Sequence, residues 1–262
     1  MKVLITTLAS GWYKKLAPLF EYTARKYNPG CDVKVFYRED LFPDYPNNAT
    51  ATLRFLMPNK YFEGYDYVFI TDVDFLFLKH SPSMVEYHLD VIKRTGLPYS
   101  AYRGRIKKGS RVIWDGKFTR IAGGHVFVSR KWLEQTAPIR AKILSKVRDG
   151  VDRRVRDEIV LYRIMRASGI NTPALRRHLY DGVMFDKEYR NLHLGDFRDC
   201  FAKKRWSKKK RMRAWYFTDN SVKKYKKLCM DAKFLSLVTE ARKDEHIDEM
   251  FHNLNYYVDR IK

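Results

Sequence analysis

The feature that most constrains this chain is an apolar run that stops at two acids. In Gly64-Tyr-Asp-Tyr-Val-Phe-Ile-Thr-Asp72-Val73-Asp74, residues Tyr67 to Ile70 are aromatic and β-branched. That is the composition of a strand covered on both faces, as in a parallel sheet sandwiched by helices. Such a strand cannot continue through the two acids, because an unpaired ionised carboxylate is costly away from water. Asp72 and Asp74 therefore belong at the strand's carboxyl edge, where α/β sheets open their ligand crevice. In extended chain, residues i and i+2 point to the same side. The two carboxylates are then expected to converge on one hard divalent cation while Val73 returns to the core. The plainer alternative has one acid capping a turn and the other solvated.

The surrounding pattern is that of a doubly wound α/β fold. Lys2 to Thr6 reads as a buried strand, and Thr7-Leu-Ala-Ser-Gly11 as the turn after it. Apolar positions at Trp12, Leu16, Leu19, Phe20, Thr23 and Tyr27 recur at helical spacing and end at Asn28-Pro29-Gly30. Asp32 to Tyr37 alternates as a second strand. Strand, helix, strand in this order places Thr6 to Tyr13 and the two acids on one edge of the sheet. Asn48 to Phe62 reads as a helix carrying Arg54, either a surface charge or a bidentate partner for phosphate. Ser81 to Thr95 reads as a further helix, and after it comes a Gly- and Arg-rich segment with basic residues from Arg103 to Lys108. The pair Gly123-Gly124 leads into a strand, as a β-bulge or as a place where a ligand approaches the backbone. Asp157 and Glu158 open an amphipathic helix, where acids also serve the helix dipole. His193 stands in Asn191-Leu-His193-Leu-Gly195, and a lone histidine is more often structural than a ligand.

Charge narrows the class of partner. A formal net charge of +22 calls for an anion: nucleotide phosphate, nucleic acid or an anionic membrane. The basic residues are spread through the chain without a nucleic-acid motif, so nucleic acid is disfavoured. The densest run, Lys203 to Arg213, is bracketed by Trp206, Trp215, Tyr216 and Phe217. That mixture suits the headgroup zone of an anionic membrane, which makes residues 203–217 a candidate peripheral contact. Cys31, Cys200 and Cys229 lie far apart with no C-x-x-C pair, which fits a reducing compartment. The start of the chain lacks the apolar core of a secretory signal, so the expected location is cytoplasmic. Composition shifts near residue 196, dividing the chain into a catalytic domain, 1–196, and a basic, aromatic and helical extension, 197–262.

In its order of motifs the chain resembles the GT-A-fold nucleotide-sugar glycosyltransferases. It is most similar to the retaining enzymes of glycosyltransferase family 8, the glycogenin and lipooligosaccharide galactosyltransferase group. The similarity runs over residues 1–200 and is best from Thr50 through Arg54 to Asp72-Val73-Asp74. It implies a Rossmann-like mixed sheet flanked by helices, Mn²⁺ or Mg²⁺ held by Asp72, Asp74 and His193, and a UDP-sugar donor. Thr6, Thr7 and Leu8 would border the uracil, Tyr13 would stack on it, and Arg54 and Val73 would line the diphosphate. Gly123 and Gly124 would meet the donor sugar, with Ala122 where the family has Asn. Asp157 and Glu158 would act on the sugar side, with Ile159 replacing the second Asp of D-Q-D. His193-Leu-Gly195 is one residue shorter than the family's H-x-x-G, and no Lys-Pro-Trp comes after it. The acceptor implied is a glycan or glycolipid hydroxyl. In an inverting member, Asp157 or Glu158 would instead be the general base. Two readings of another class remain beside this one: a nucleic-acid-binding protein, and an inactive GT-A scaffold tethered to a membrane.

Overall fold

A computed structural model describes residues 1–46, 49–103, 121–148, 157–172, 192–197 and 219–259. Most of the 103–108 basic cluster and all of the 203–217 run lie outside them. The central sheet has five strands: β1 (Val3–Ala9), β2 (Asp32–Tyr37), β3 (Tyr67–Thr71), β5 (Tyr99–Arg103) and β6 (Ile121–Ser129). Their order is β2-β1-β3-β6-β5. β1 runs parallel to β2 and β3, whereas β6 is antiparallel to both β3 and β5, so the sheet is mixed. A second, two-stranded sheet pairs β4 (Phe75–Leu76) with β7 (Leu192–His193) in antiparallel register.

Side-chain alternation along the strands divides the core into two layers. Val3, Ile5, Phe69 and Phe127 face one way, onto α1 (Ala17–Tyr27) and the start of α4 (Met84–Thr95). The same layer includes Val222, Phe234 and Phe251, from α7 (Asp219–Leu228), α8 (Ala232–Ala241) and α9 (Glu245–Val258). Leu4, Leu8, Val68, Ile70, Val126 and Val128 face the other way, onto α3 (Thr50–Leu53), α5 (Arg130–Arg148) and α6 (Asp157–Ala167). Phe42, at the end of the short α2 (Arg38–Leu41), joins that second layer. Helices on both faces of a mixed sheet are what an all-apolar central strand requires, and β3 is that strand.

Three local expectations change. β1 continues to Ala9, pairing Leu8 with Phe36 and Ala9 with Tyr37, so the turn begins only at Ser10. The long helix expected over 48–62 contracts to α3 and a short 3-10 helix, Asn59–Phe62. Phe55, Leu56 and Met57 between them are all buried, whereas an amphipathic helix would expose one face, and Pro58 removes a backbone donor. Arg140 on α5 stabilises this irregular stretch: its guanidinium donates to the carbonyls of Met57 and Leu133 and to Asn59 Oδ1. Third, β3 stops at Thr71, and Asp72-Val73-Asp74 forms a turn in which the Phe75 amide donates to the Asp72 carbonyl. The two carboxylates therefore converge through a turn and not through strand pleating.

Candidate metal and donor site

The sheet brings four separate segments to the carboxyl ends of β1 and β3. β4 leaves the Asp72 turn and pairs Phe75 with His193, while the Leu194 amide donates to the Asp74 carbonyl at 2.8 Å. That pairing sets the His193 ring beside both acids: Nε2 lies 3.2 Å from Asp74 Oδ1 and 3.5 Å from Asp72 Oδ2. Donor atoms of Asp72, Asp74 and His193 all fall within 4.8 Å of one another, the only such group of three found among the described residues. Gly195 makes room for the cluster. A Cβ there would collide with Asp74 Oδ2 and sit 3.1 Å from His193 Cε1.

Electrostatics keep Asp74 ionised. Asp74 is only 5% exposed, and burial alone would raise its pKa. The neighbouring His193 and the Arg54 guanidinium outweigh burial and hold the carboxyl below its ordinary value. Arg54 is itself 4% exposed and joins two segments: one terminal nitrogen bonds Asp72 Oδ1, and the other donates to Asp157 Oδ2 at 2.9 Å. Asp157 Oδ1 accepts from the Glu158 amide at 2.8 Å, so this carboxylate orients Arg54 and also caps the first turn of α6. Two carboxylate oxygens and one imidazole suit Mn²⁺, and Mg²⁺ accepts the carboxylates. The converging donors, the clearance at Gly195 and the ionised, buried Asp74 all fit a hard divalent ion.

The remaining expected residues come from β1 and the segment after it, from the Asp72 turn, and from β6 and α6. Thr6, Thr7 and Leu8 lie within β1: Thr6 Oγ1 donates to the Lys34 carbonyl at 2.8 Å, and the Leu8 side chain packs in the core. The Thr7 hydroxyl is buried with no hydrogen-bond partner among the described residues, which leaves one polar atom at this edge unsatisfied. Tyr13 sits on the 3-10 helix Gly11–Leu16 after β1, half-buried, with its ring 3.8 Å from that of Trp12. Trp12 in turn meets His246 of α9 at 5.2 Å. That segment is anchored by Ser10 Oγ to Thr50 Oγ1 at 3.0 Å and by Lys14 to Glu39 at 3.0 Å. Val73 is buried. His125 pairs with Thr71, so Gly123 and Gly124 come just before the residue that flanks the Asp72 turn. The β5–β6 register also jumps from Ala101 with Val126 to Arg103 with Ile121, which puts a bulge on the glycine pair. Glu158 is half-buried beside Asp157. The sequence did not reveal that Arg54 pairs with Asp157 across 103 positions, nor the clearance at Gly195. A glycine two residues after the histidine was the available signal for the second; the first has no local signal.

No protein-family model matches the chain, and no curated protein matches it. Among solved structures, the chain is similar to the apo form of the glycosyltransferase GlyE of Streptococcus pneumoniae TIGR4, at 13% identity and TM-score 0.44. That match covers 69% of this chain and 48% of GlyE, so the chain spans about half of that protein's length. It is also similar to the galactosyltransferase LgtC, solved with donor and acceptor sugar analogues, at 14% identity and TM-score 0.40, covering 64% of this chain and 70% of LgtC. No described helix is long and apolar enough to cross a membrane.

Proposed function

We propose that this chain is a metal-dependent glycosyltransferase of the GT-A fold. It moves a sugar from a nucleoside diphosphate sugar, with UDP as the nucleotide, to a hydroxyl of a glycan or glycolipid, with retention of configuration. One observation carries the reading: Asp72, Asp74 and His193 converge at the end of the central strand, beside an arginine held by two carboxylates.

In this reading Asp72, Asp74 and His193 hold Mn²⁺ or Mg²⁺, whose chemistry is Lewis-acid neutralisation of the charge that develops on the departing diphosphate. Arg54 presents a second fixed cation on the same edge, prepared for phosphate oxygens because Asp157 holds its guanidinium plane. Tyr13 and the Thr7 hydroxyl border the nucleotide base, Thr6 and Leu8 hold β1 in place beneath them, and Val73 backs the turn from the core. The Gly123-Gly124 backbone admits the donor sugar closely, and Glu158 faces it from the first turn of α6. Because Asp157 Oδ2 is occupied by Arg54, Asp157 serves as a positioning group and not as the base an inverting transfer needs. Retention then follows from the resemblance to the retaining family, and Glu158 is the carboxylate that an inverting transfer would use. The assignment extends to residues 1–196 as the catalytic unit, 197–262 as its extension, and 203–217 as a contact with an anionic membrane.

A screen of nucleotide sugars with Mn²⁺, reading released nucleoside diphosphate, tests the proposal. One donor should be hydrolysed slowly even without acceptor, and chelator should stop the reaction. Release from no donor, or release undiminished by excess chelator, overturns it.

A further inference from the structure

Trp12 and Tyr13 are consecutive residues of the 3-10 helix that follows β1, yet their rings stack at 3.8 Å with planes 21° apart. With three residues per turn, side chains one position apart point in different directions, so adjacent rings lie face to face only when a contact outside the helix holds one of them. That contact comes from the other end of the chain. The His246 ring, in the first turn of α9, lies 5.2 Å from that of Trp12 and is inclined to it by 37°. His246, Trp12 and Tyr13 thus form one run of ring contacts drawn from two distant segments.

His246 stands on a fixed base. Asp244, just before α9, accepts from the His246 amide through Oδ1 at 3.1 Å and pairs with Lys15 through Oδ2 at 3.0 Å. Lys15 belongs to the same 3-10 helix as Tyr13, so one carboxylate both opens α9 and grips that segment. Ile247 is fully buried in the core layer that contains Leu16, the last residue of the segment. At its other end the segment is fixed from the sheet side, where Glu39 accepts from the Gly11 amide at 3.3 Å and Ser10 Oγ meets Thr50 Oγ1. The backbone before Tyr13 is therefore pinned by the sheet edge, and the ring beside it is held by the extension.

We propose that His246 is a positioning residue for the nucleotide base: it holds the Trp12 indole, and the indole sets the plane in which Tyr13 meets the base. The inference rests on the reading of Tyr13 as a neighbour of that base. A pyrimidine offers one small ring, and a platform already fixed in place binds it without the cost of immobilising a mobile side chain on arrival. The extension is then a working part of the donor site. It sets the affinity for the base, whereas the metal cluster and Arg54 take the diphosphate, so the two affinities are separable.

The test uses the full chain with saturating Mn²⁺ and two probes, UDP and inorganic pyrophosphate, titrated by calorimetry. The wild-type chain should bind both and prefer UDP. His246→Ala should bind UDP about fivefold more weakly and pyrophosphate as the wild type does, because one aromatic contact is lost at the base end alone. His246→Phe, which keeps a ring at that position, should retain wild-type affinity for UDP. The His246 side chain is exposed, so both variants should keep the wild-type circular dichroism. An unaltered UDP affinity in His246→Ala, an equal loss for both probes, or a His246→Phe as weak as His246→Ala overturns this inference and leaves the nucleotide site standing. A wild-type chain that binds neither probe, or shows no preference for UDP, overturns the base-contact reading itself and this inference with it.

Discussion

Replacing Arg54 with Met tests the electrostatic design of the site directly. The Arg54 side chain is 5% exposed, and the two carboxylates it bridges, Asp72 and Asp157, are 21% and 24% exposed. Removing one partner of a fully buried ion pair costs about 3–5 kcal/mol, because the other charge is left unpaired. Water reaches part of both acids here, so screening lowers the expectation to roughly 2–3 kcal/mol. For a chain of this size each kcal/mol moves the melting temperature by about 2–4 °C, so Arg54→Met should melt roughly 5–10 °C below wild type. The charge Arg54 supplied to Asp72 can be replaced by a divalent ion. At a hundredfold excess over its Kd, an ion bound only to the folded state returns about 2.7 kcal/mol. Thermal denaturation of both proteins with and without Mn²⁺ checks this. Mn²⁺ should raise the variant's melting temperature more than the wild type's, because Arg54 no longer competes for Asp72. A variant that melts with wild type in chelator, or that gains nothing extra from Mn²⁺, would refute the reasoning.

Two further outcomes are expected. Gly195→Ala drives a methyl group into Asp74 Oδ2 and against His193, so it should weaken Mn²⁺ binding at least tenfold by calorimetry and cost about 1–3 kcal/mol in urea unfolding; wild-type affinity would show that the loop shifts freely. His88 is fully buried, stacked on Phe127 and bonded to Ser100 Oγ at 2.8 Å, and burial pushes its pKa down to about 3. The unfolded chain therefore takes up a proton below about pH 6.5 that the folded chain refuses, so this stability is complete above that pH and declines toward pH 3. Between pH 7 and pH 5 the loss is about 2 kcal/mol, and His88→Gln should unfold in urea with a correspondingly flatter pH dependence. Equal slopes for the two proteins would mean that His88 is not held neutral.

The parts of the fold that were legible in the sequence are those specified by short-range pattern. β2, β3 and α1 follow from apolar periodicity, and so does the helix expected over Ser81 to Thr95, which the structure begins at Met84 behind the Ser83–Glu86 capping box. The Asp72-Val73-Asp74 edge was legible because burial forbids ionised acids inside a strand. What escaped depends on partners distant in sequence. The stretch from Phe55 to Met57 reads as helix by composition, yet the Met57 carbonyl is served by Arg140, 83 positions away. The end of β1 was set too early because Thr7 and Leu8 look like turn residues until β2 supplies their pairing. The candidate site divides in the same way. Each of Arg54, Asp72, Asp74, Asp157 and His193 carried a chemical signal of its own, whereas the Arg54 bridge to Asp157 exists only in three dimensions. The α7–α9 segment showed no chemistry in sequence, and its apolar faces instead complete the core layer that contains α1.

The central claim is that Asp72, Asp74 and His193 form one divalent-ion site. Titration of the chain with Mn²⁺, following the free ion by electron paramagnetic resonance, measures it most directly. The account predicts one ion per chain, lost in Asp74→Ala while that variant's circular dichroism stays that of the wild type. Unaltered stoichiometry and affinity in the folded variant, or no bound ion in the wild-type protein, would contradict it.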